Sequence, residues 1–314
     1  MRLQYNTRLI SLSSISWVKF RVLAVIGAVT LLGYVVTRSF AAGPLAAFEP
    51  ETGNVSSSVS THSYDGASGN SLIRFSTMPQ PYNPASDASI PSNLQLAFQD
   101  EFSGSSLDLT KWDPNWLAWD ATKITQPVNT STEPVCYDPQ QVTVGDGLLN
   151  LNLEQRPCTT TNGVTYSHAG GMIQSVRYFN YTYGYAEAYM NLPPGTTGHT
   201  PTNWAAFWTD GQNWPADGEN DIMETLSGSV CFTYHYSGGQ LGSTCPALTA
   251  GWHRFASYWQ PGSVTYFYDG IKVGTYDVNI SSPHYLILNL SLANWGTANS
   301  VPANMQVDYV RVWQ

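Results

Sequence analysis

Trp214-Pro-Ala-Asp-Gly-Glu-Asn-Asp-Ile-Met-Glu-Thr225 is the stretch on which the reading of this chain turns. It sets three carboxylates, Glu219, Asp221 and Glu224, close together in a chain of which only 11% is charged. Like charges packed this closely repel, so the cluster is expected where proton affinities are put to use. In a plain strand residues i and i+2 share a face, and i+5 points to the other side. One extra residue bulging from the strand would return Glu224 to the face of Glu219 and Asp221. With that bulge the three carboxylates would line one groove; without it the segment reads as a solvated acidic loop.

The same strand texture extends on both sides. From Leu94 onward short apolar or alternating runs recur, among them Leu148–Leu153, Gly184–Leu192, Trp204–Thr209, Phe232–Tyr236, Trp252–Trp259, Tyr285–Leu292 and Met305–Trp313. Turn residues separate them: Asp146-Gly147, Pro193-Pro194-Gly195, Pro261-Gly262 and Asp269-Gly270. Residues 264–273, Val-Thr-Tyr-Phe-Tyr-Asp-Gly-Ile-Lys-Val, read as a hairpin closed by a tight Asp-Gly turn. No segment sustains a 3.6-residue period with helix caps. Many short strands over about 220 residues predict an all-β fold, a single two-sheet sandwich or jelly roll.

Composition narrows the function classes. The five cations before residue 42 (Arg2, Arg8, Lys19, Arg21 and Arg38) leave 8 Lys/Arg against 22 Asp/Glu in the remainder, a net charge of −14. Such a surface repels phosphate backbones, so nucleic-acid binding is not expected, while neutral polysaccharide is compatible with it. At the N-terminus, basic residues up to Lys19 and Arg21 precede the apolar run Val22–Val36 and the small residues of Ser39-Phe40-Ala41. That order predicts a signal peptide over 1–41, or an N-terminal membrane anchor where it is not cleaved. Export suits the even cysteine count. Cys136, Cys158, Cys231 and Cys245 allow three pairings, and nearest-neighbour pairing, Cys136–Cys158 and Cys231–Cys245, is the expectation. Residues 42–92, rich in Ser, Pro, Gly, Asn and Ala, read as a linker. Within it, residues 48–75 resemble the opening strands of a carbohydrate-binding β-sandwich module but are too few to complete one.

Two glutamates with an aspartate between them, on one face, are the layout that double displacement at a sugar carbon needs. The remaining motifs agree. Phe98-Gln-Asp-Glu-Phe-Ser-Gly104, Gly147-Leu-Leu149, Gly170-Gly-Met-Ile173, Tyr183-Gly-Tyr-Ala-Glu187, Trp204-Ala-Ala-Phe-Trp208, the acidic strand, Gly251-Trp-His-Arg-Phe255 and Val307-Asp-Tyr-Val-Arg-Val-Trp313 follow one another in order. From about residue 93 to 314 the chain resembles the secreted β-glucanases of glycoside hydrolase family 16, the laminarinases and lichenases. The resemblance implies a concanavalin-like jelly-roll sandwich of two antiparallel sheets with a concave substrate cleft. It makes Glu219 the nucleophile, Asp221 the assisting carboxylate and Glu224 the general acid/base.

By the same resemblance Trp204, Trp208, Trp214, His235, Glu187 and Asn289 would line the cleft, where flat sugar faces call for aromatic platforms. A structural calcium, with no part in catalysis, would be held by the Asp308 carboxylate and the backbone carbonyls of Glu101 and Gly147. Two positions depart from the family pattern: Asn220 stands where an apolar residue packs behind the catalytic strand, and Tyr189 where an arginine is usual. The implied activity is retaining endo-hydrolysis of β-1,3 or mixed β-1,3/1,4-glucan by a monomer. The alternatives are the same fold acting on another polysaccharide such as a galactan, transglycosylation, or a non-catalytic carbohydrate-binding protein.

Overall fold

A computed structural model describes residues 60–63, 71–74, 90–194, 201–226, 228–246, 248–296 and 299–314. The expected export segment, 1–41, and most of the 42–92 linker lie outside the described residues. The chain forms two compact units, Met1–Tyr82 and Asn83–Gln314. In the first, β1 (Ser60–Ser63) and β2 (Ser71–Arg74) form an antiparallel pair with Ser60 opposite Arg74.

The second unit is nearly all strand. It begins with β3 (Leu96–Asp100), β4 (Val135–Tyr137), β5 (Val142–Gly145), β6 (Leu148–Glu154), β7 (Cys158–Thr159) and β8 (Thr165–Tyr166). Next come β9 (His168–Gly170), β10 (Met172–Gln174), β11 (Asn180–Tyr181), β12 (Gly184–Leu192), β13 (Trp204–Gly211) and β14 (Glu219–Leu226). The chain continues through β15 (Ser229–Tyr236), β16 (Gly239–Thr244), β17 (Gly251–Gln260), β18 (Gly262–Tyr268), β19 (Ile271–Val278), β20 (His284–Ser291) and β21 (Ala303–Trp313). A front sheet of seven strands runs β10-β20-β13-β14-β15-β16, with β11 also on β20. A back sheet of ten runs β19-β18-β17-β12-β21-β6-β9-β4, with β3 on β21 and β5 on β6. Among the described residues all strand pairings are antiparallel except β4 with β9. This is the two-sheet jelly-roll sandwich expected from the strand pattern.

The turns act as their residues dictate. Asp146-Gly147 closes β5 onto β6 and Asp269-Gly270 closes β18 onto β19, and all four residues have positive φ. A two-residue hairpin of that hand matches the twist of its strands, and Asp and Gly tolerate it better than other residues. Both expected disulfides are present, Cys136–Cys158 and Cys231–Cys245.

Strict alternation decides what goes inside. Ala205 and Phe207 of β13, Val230, Phe232 and Tyr234 of β15, and Leu286, Leu288 and Leu290 of β20 point back from the front sheet. They meet Ala186, Ala188 and Met190 of β12, Phe255 of β17, Tyr266 of β18 and Val307, Val310 and Val312 of β21. The other face of the same front strands carries a second apolar cluster, including Met172, Ala206, Trp208, Tyr285 and Ile287, which floors the concave side. Asn220 points into the inter-sheet layer, where its Nδ2 donates to Ser257 Oγ at 3.1 Å and both residues are wholly buried. The polar residue behind β14 thus finds an acceptor for its Nδ2 on β17.

Phe232 sits in the middle of this layer, its ring 6.3 Å from Phe255 and 5.9 Å from Tyr266. Phe232→Ala should lower unfolding free energy by roughly 3–5 kcal/mol, the usual cost of emptying a buried phenylalanine site. Urea denaturation of purified protein measures it, and an unchanged midpoint would contradict the packing described.

Candidate active site

β14 builds the site by breaking its own alternation. On one side Met223 pairs with Phe207 of β13, and Asp221 with the next residue, Trp208. On the other, Asp221 pairs with Thr233 of β15, while Glu224, three residues on, pairs with Cys231, only two away. One extra residue is therefore inserted between Asp221 and Glu224. Two consecutive apolar side chains, Ile222 and Met223, enter the core together. Asn220, Ile222, Met223 and Thr225 lie behind the strand, and Glu219, Asp221 and Glu224 reach the concave face. All three carboxylates line one cleft of about 480 Å³. The bulge expected from the sequence is present.

Each glutamate is gripped by an indole. Trp204 Nε1 donates to Glu224 Oε1 at 3.0 Å, and Trp214 Nε1 donates to Glu219 Oε2. Burial pushes the Glu224 carboxyl up to about 7, with the Glu219 charge adding to the rise and the Trp204 N–H opposing it. Asp221, between the two glutamates, is pushed well above the carboxylate range, first by burial and then by both neighbours' charges. Asp221 and Glu224 therefore keep their protons to higher pH than ordinary carboxyls do. A group poised to give up a proton near pH 7 is what general acid chemistry requires.

Trp204, Trp208, Trp214 and Asn289 all line the cleft as expected. Trp208 lies nearly buried in the floor, its Nε1 donating to Asn289 Oδ1 at 2.8 Å. His235 stands opposite Glu219 in the β14–β15 register, with Nε2 3.3 Å from Asp221 Oδ2. Glu187 is different. It belongs to β12 of the back sheet, alternating with the core residues Ala186 and Ala188, so its side chain leaves the sandwich on the far side. There its Oε1 accepts from Tyr309 Oη at 2.7 Å. The expected cleft glutamate is therefore a buried partner on the back sheet's outer face. Tyr189 shares that face, packed 5.0 Å from Trp252, so no cleft cation is lost at this position.

Three further residues of the cleft escaped the sequence reading. Asp210 faces Glu219 across the β13–β14 register. Burial, reinforced by the Glu219 charge, raises its carboxyl to about 8, and Tyr285 Oη donates to its Oδ2 at 3.3 Å. The alternation that put Trp204 and Trp208 on one face would have placed Asp210 there too. Glu133 anchors a loop beside the cleft, accepting from Ser291 Oγ at 2.6 Å, Tyr137 Oη at 2.8 Å and the Asn129 amide at 2.8 Å. Trp116 stacks on Trp208 with ring centroids 5.9 Å apart. Both sit in irregular chain, where no periodicity points to them.

Of the three residues expected at a metal, Asp308 lies on β21 of the back sheet, Glu101 just after β3 and Gly147 in the β5–β6 turn. Val310 pairs with Asp100, and Val307 with Leu149, which brings Asp308 alongside the chain just after β3 and the Asp146-Gly147 turn. The Glu101 carboxylate is held by Arg311 through two 2.8 Å bonds. Only its carbonyl is left to offer, so the donor set is one carboxylate plus backbone oxygens, all hard ligands of the kind calcium takes.

The sequence pattern of the glycosyl hydrolases family 16 matches residues 129–311. The chain is 26% identical to glucan endo-1,3-beta-glucosidase A1 of Niallia circulans, over 79% of this chain and 44% of that protein. It is 28% identical to keratan-sulfate endo-1,4-beta-galactosidase of Sphingobacterium multivorum, over 71% of this chain and 56% of that one. It thus spans about half the length of these relatives. Among solved structures, a non-specific endo-β-1,3(4)-glucanase of the same family superposes with a TM-score of 0.61 at 25% identity, covering 72% of this chain and 92% of the other. The endo-β-1,3-glucanase of Pyrococcus furiosus shares the fold with a TM-score of 0.60 at 24% identity, over 70% and 94% of the two chains. A match across more than half of the chain, centred on a bulged strand with its three carboxylates in a cleft, makes this protein a member of the glycosyl hydrolases family 16.

Proposed function

We propose that the protein is an exported retaining endo-hydrolase of β-1,3- or mixed β-1,3/1,4-glucan. The observation that carries this is the bulge that gathers Glu219, Asp221 and Glu224 on the cleft floor with Glu224 still able to hold a proton near neutrality. Glu219 attacks the anomeric carbon while Glu224 gives its proton to the departing glycosidic oxygen, leaving a glycosyl ester on Glu219. The Glu224 carboxylate then takes a proton from water, whose oxygen attacks the same carbon and releases Glu219, so the β configuration is kept. Asp221, beside both, limits the charge that builds on Glu224 between the two steps. The indole planes of Trp204 and Trp214 serve as sugar platforms while their N–H groups orient the glutamates. Glucanases among the relatives favour β-glucan as the polymer, and the keratan-sulfate galactosidase keeps a galactan as the second reading. The basic and apolar N-terminus, together with two disulfides that persist in oxidising compartments, supports export. Residues 93–314 would form the catalytic domain behind a 42–92 linker.

A calcium ion bound by Asp308 with the Glu101 and Gly147 carbonyls would tie the chain after β3 to the β5–β6 turn and β21. It would add stability alone.

Glu219→Gln should abolish turnover of laminarin and lichenan while leaving the unfolding temperature near that of the parent. Azide should partly restore Glu224→Ala and yield the β-glycosyl azide, as read by NMR; an α product would exclude double displacement. Incubation with β-glucans and galactans, with product lengths read by chromatography, separates the two polymers.

Because the acid must be protonated, kcat/KM should fall as pH rises through about 7. Trp204→Phe removes a donor that favours the charged carboxylate, so its alkaline limb should move to higher pH. A limb that stays in place would remove Trp204 from the control of Glu224.

Chelation of calcium should lower the melting temperature by roughly 5–10 °C, the effect of losing a ligand present at about a hundred times its Kd. Asp308→Ala should show the lowered value with or without added calcium, and a parent indifferent to chelator would rule the ion out.

A further inference from the structure

Beyond the cleft, at the edge of the front sheet where β10 lies, the chain displays an indole at unusual conformational cost. Trp119 is 55% exposed, and its own backbone and that of Leu117 have φ of 57° and 49°. Left-handed backbone is disfavoured for bulky side chains, by about 1–2 kcal/mol per residue, so the loop must be held in place by its surroundings. The holding groups are identifiable. Buried Asn115 donates through Nδ2 to the carbonyls of Asp120 at 2.8 Å and Lys123 at 3.0 Å, and the Trp116 amide donates to Thr125 Oγ1 at 3.0 Å. Arg177, from the turn after β10, lies 5.9 Å from the Trp119 ring and 5.0 Å from the Tyr178 ring. Its guanidinium is neutralised by buried Asp113, with Nε donating to Oδ2 at 2.7 Å. Asp113 is in turn fixed to the sheet edge by backbone bonds with Gln174. The ring is therefore propped by a cation already paired behind it.

The segments that carry this surface also reach the cleft. Trp116, three residues before Trp119, lines the cleft and stacks on the floor residue Trp208. Val176, next to Arg177, belongs to the same apolar cluster as Trp208. A polymer crossing the floor toward the β10 edge would leave Trp208 and Trp116 and meet Trp119 and Tyr178 next. Apolar C–H faces of pyranose rings stack on such indoles, and no charge on the ligand is required, since Arg177 is paired with Asp113 and Lys123 with Asp120.

We propose that Trp119, flanked by Tyr178, is an outlying binding platform for the polysaccharide chain, outside the residues that perform catalysis. The platform adds affinity for long chains that reach past the cleft, and short oligosaccharides that end within it gain nothing. The inference rests on the reading of the ligand as a polysaccharide, though not on which one.

The test uses the full chain carrying Trp119→Ala, and separately Trp119→Gly, which removes the ring and relieves the backbone conformation together. The melting curve of Trp119→Ala should match the parent because the side chain is largely exposed, and that of Trp119→Gly should match it or lie slightly higher because the left-handed backbone is relieved. KM for laminarin should rise roughly three- to tenfold, the usual worth of one aromatic contact, with kcat unchanged and laminaritriose kinetics within about twofold. Native gels containing laminarin, lichenan or a β-galactan should retard the parent more than either variant. Equal losses on short and long substrates, or variants retarded as strongly as the parent, would overturn the platform. So would a parent retarded by none of the gels. Retardation by galactan alone, lost in the variants, would instead overturn the β-glucan assignment and uphold the platform.

Discussion

A single inserted residue in β14 governs the rest of this molecule. Antiparallel pairing on both sides forces side chains to alternate, and under strict alternation Glu219 and Glu224 would face opposite ways. The core resolves it, because Ile222 and Met223 are both drawn into the inter-sheet layer. Burying each is worth about 1.5–3 kcal/mol, enough to hold a strand out of regular register. The carboxylates gain no such benefit from being together. Their closeness is imposed by apolar burial on the opposite face, and the site is a place where packing energy overrides electrostatic preference.

That imposition explains the proton behaviour. Glu219, Asp221, Glu224, Asp210 and Glu133 all line one cleft in a chain that is already strongly acidic. Ionising every one in a half-enclosed pocket would be prohibitive, so some stay protonated. Asp210, raised to about 8, and Glu224, raised to about 7, are the two whose values bear directly on neutral conditions. Indole N–H groups do the complementary work. They supply donors without adding a positive charge, and their rings present the flat apolar surface a neutral sugar requires. Acids and indoles line the cleft and, among the described residues, no Lys or Arg does, a lining that suits an uncharged polymer better than a phosphorylated one.

Legibility differed sharply between parts of the chain. The strands, the Asp-Gly hairpins, the disulfide pairs and the bulge were readable because each depends on local pattern or on neighbours close in sequence. Trp204 and Trp208 could be paired by alternation alone, and Asp210 was open to the same reasoning. Glu187 could not be placed that way. Alternation says that it opposes Ala186 and Ala188, but it cannot say which sheet β12 joins, and in the back sheet the face away from the core points away from the cleft. Asn220 breaks the apolar pattern behind β14, and only the opposite sheet supplies the partner, Ser257, to which its Nδ2 donates.

By itself, then, the sequence determined the strand content, the all-β class and the identity of the carboxylates clustered on β14, since these follow from side-chain period and from which residue types sit within a few positions of one another. Tertiary structure alone decided which faces meet. Trp116 on Trp208, Glu133 on Ser291 and Arg177 behind Trp119 join segments from 58 to 158 residues apart or lying on different elements. No local period encodes such contacts. They arise only when two sheets close over a common core and carry their loops to the same rim.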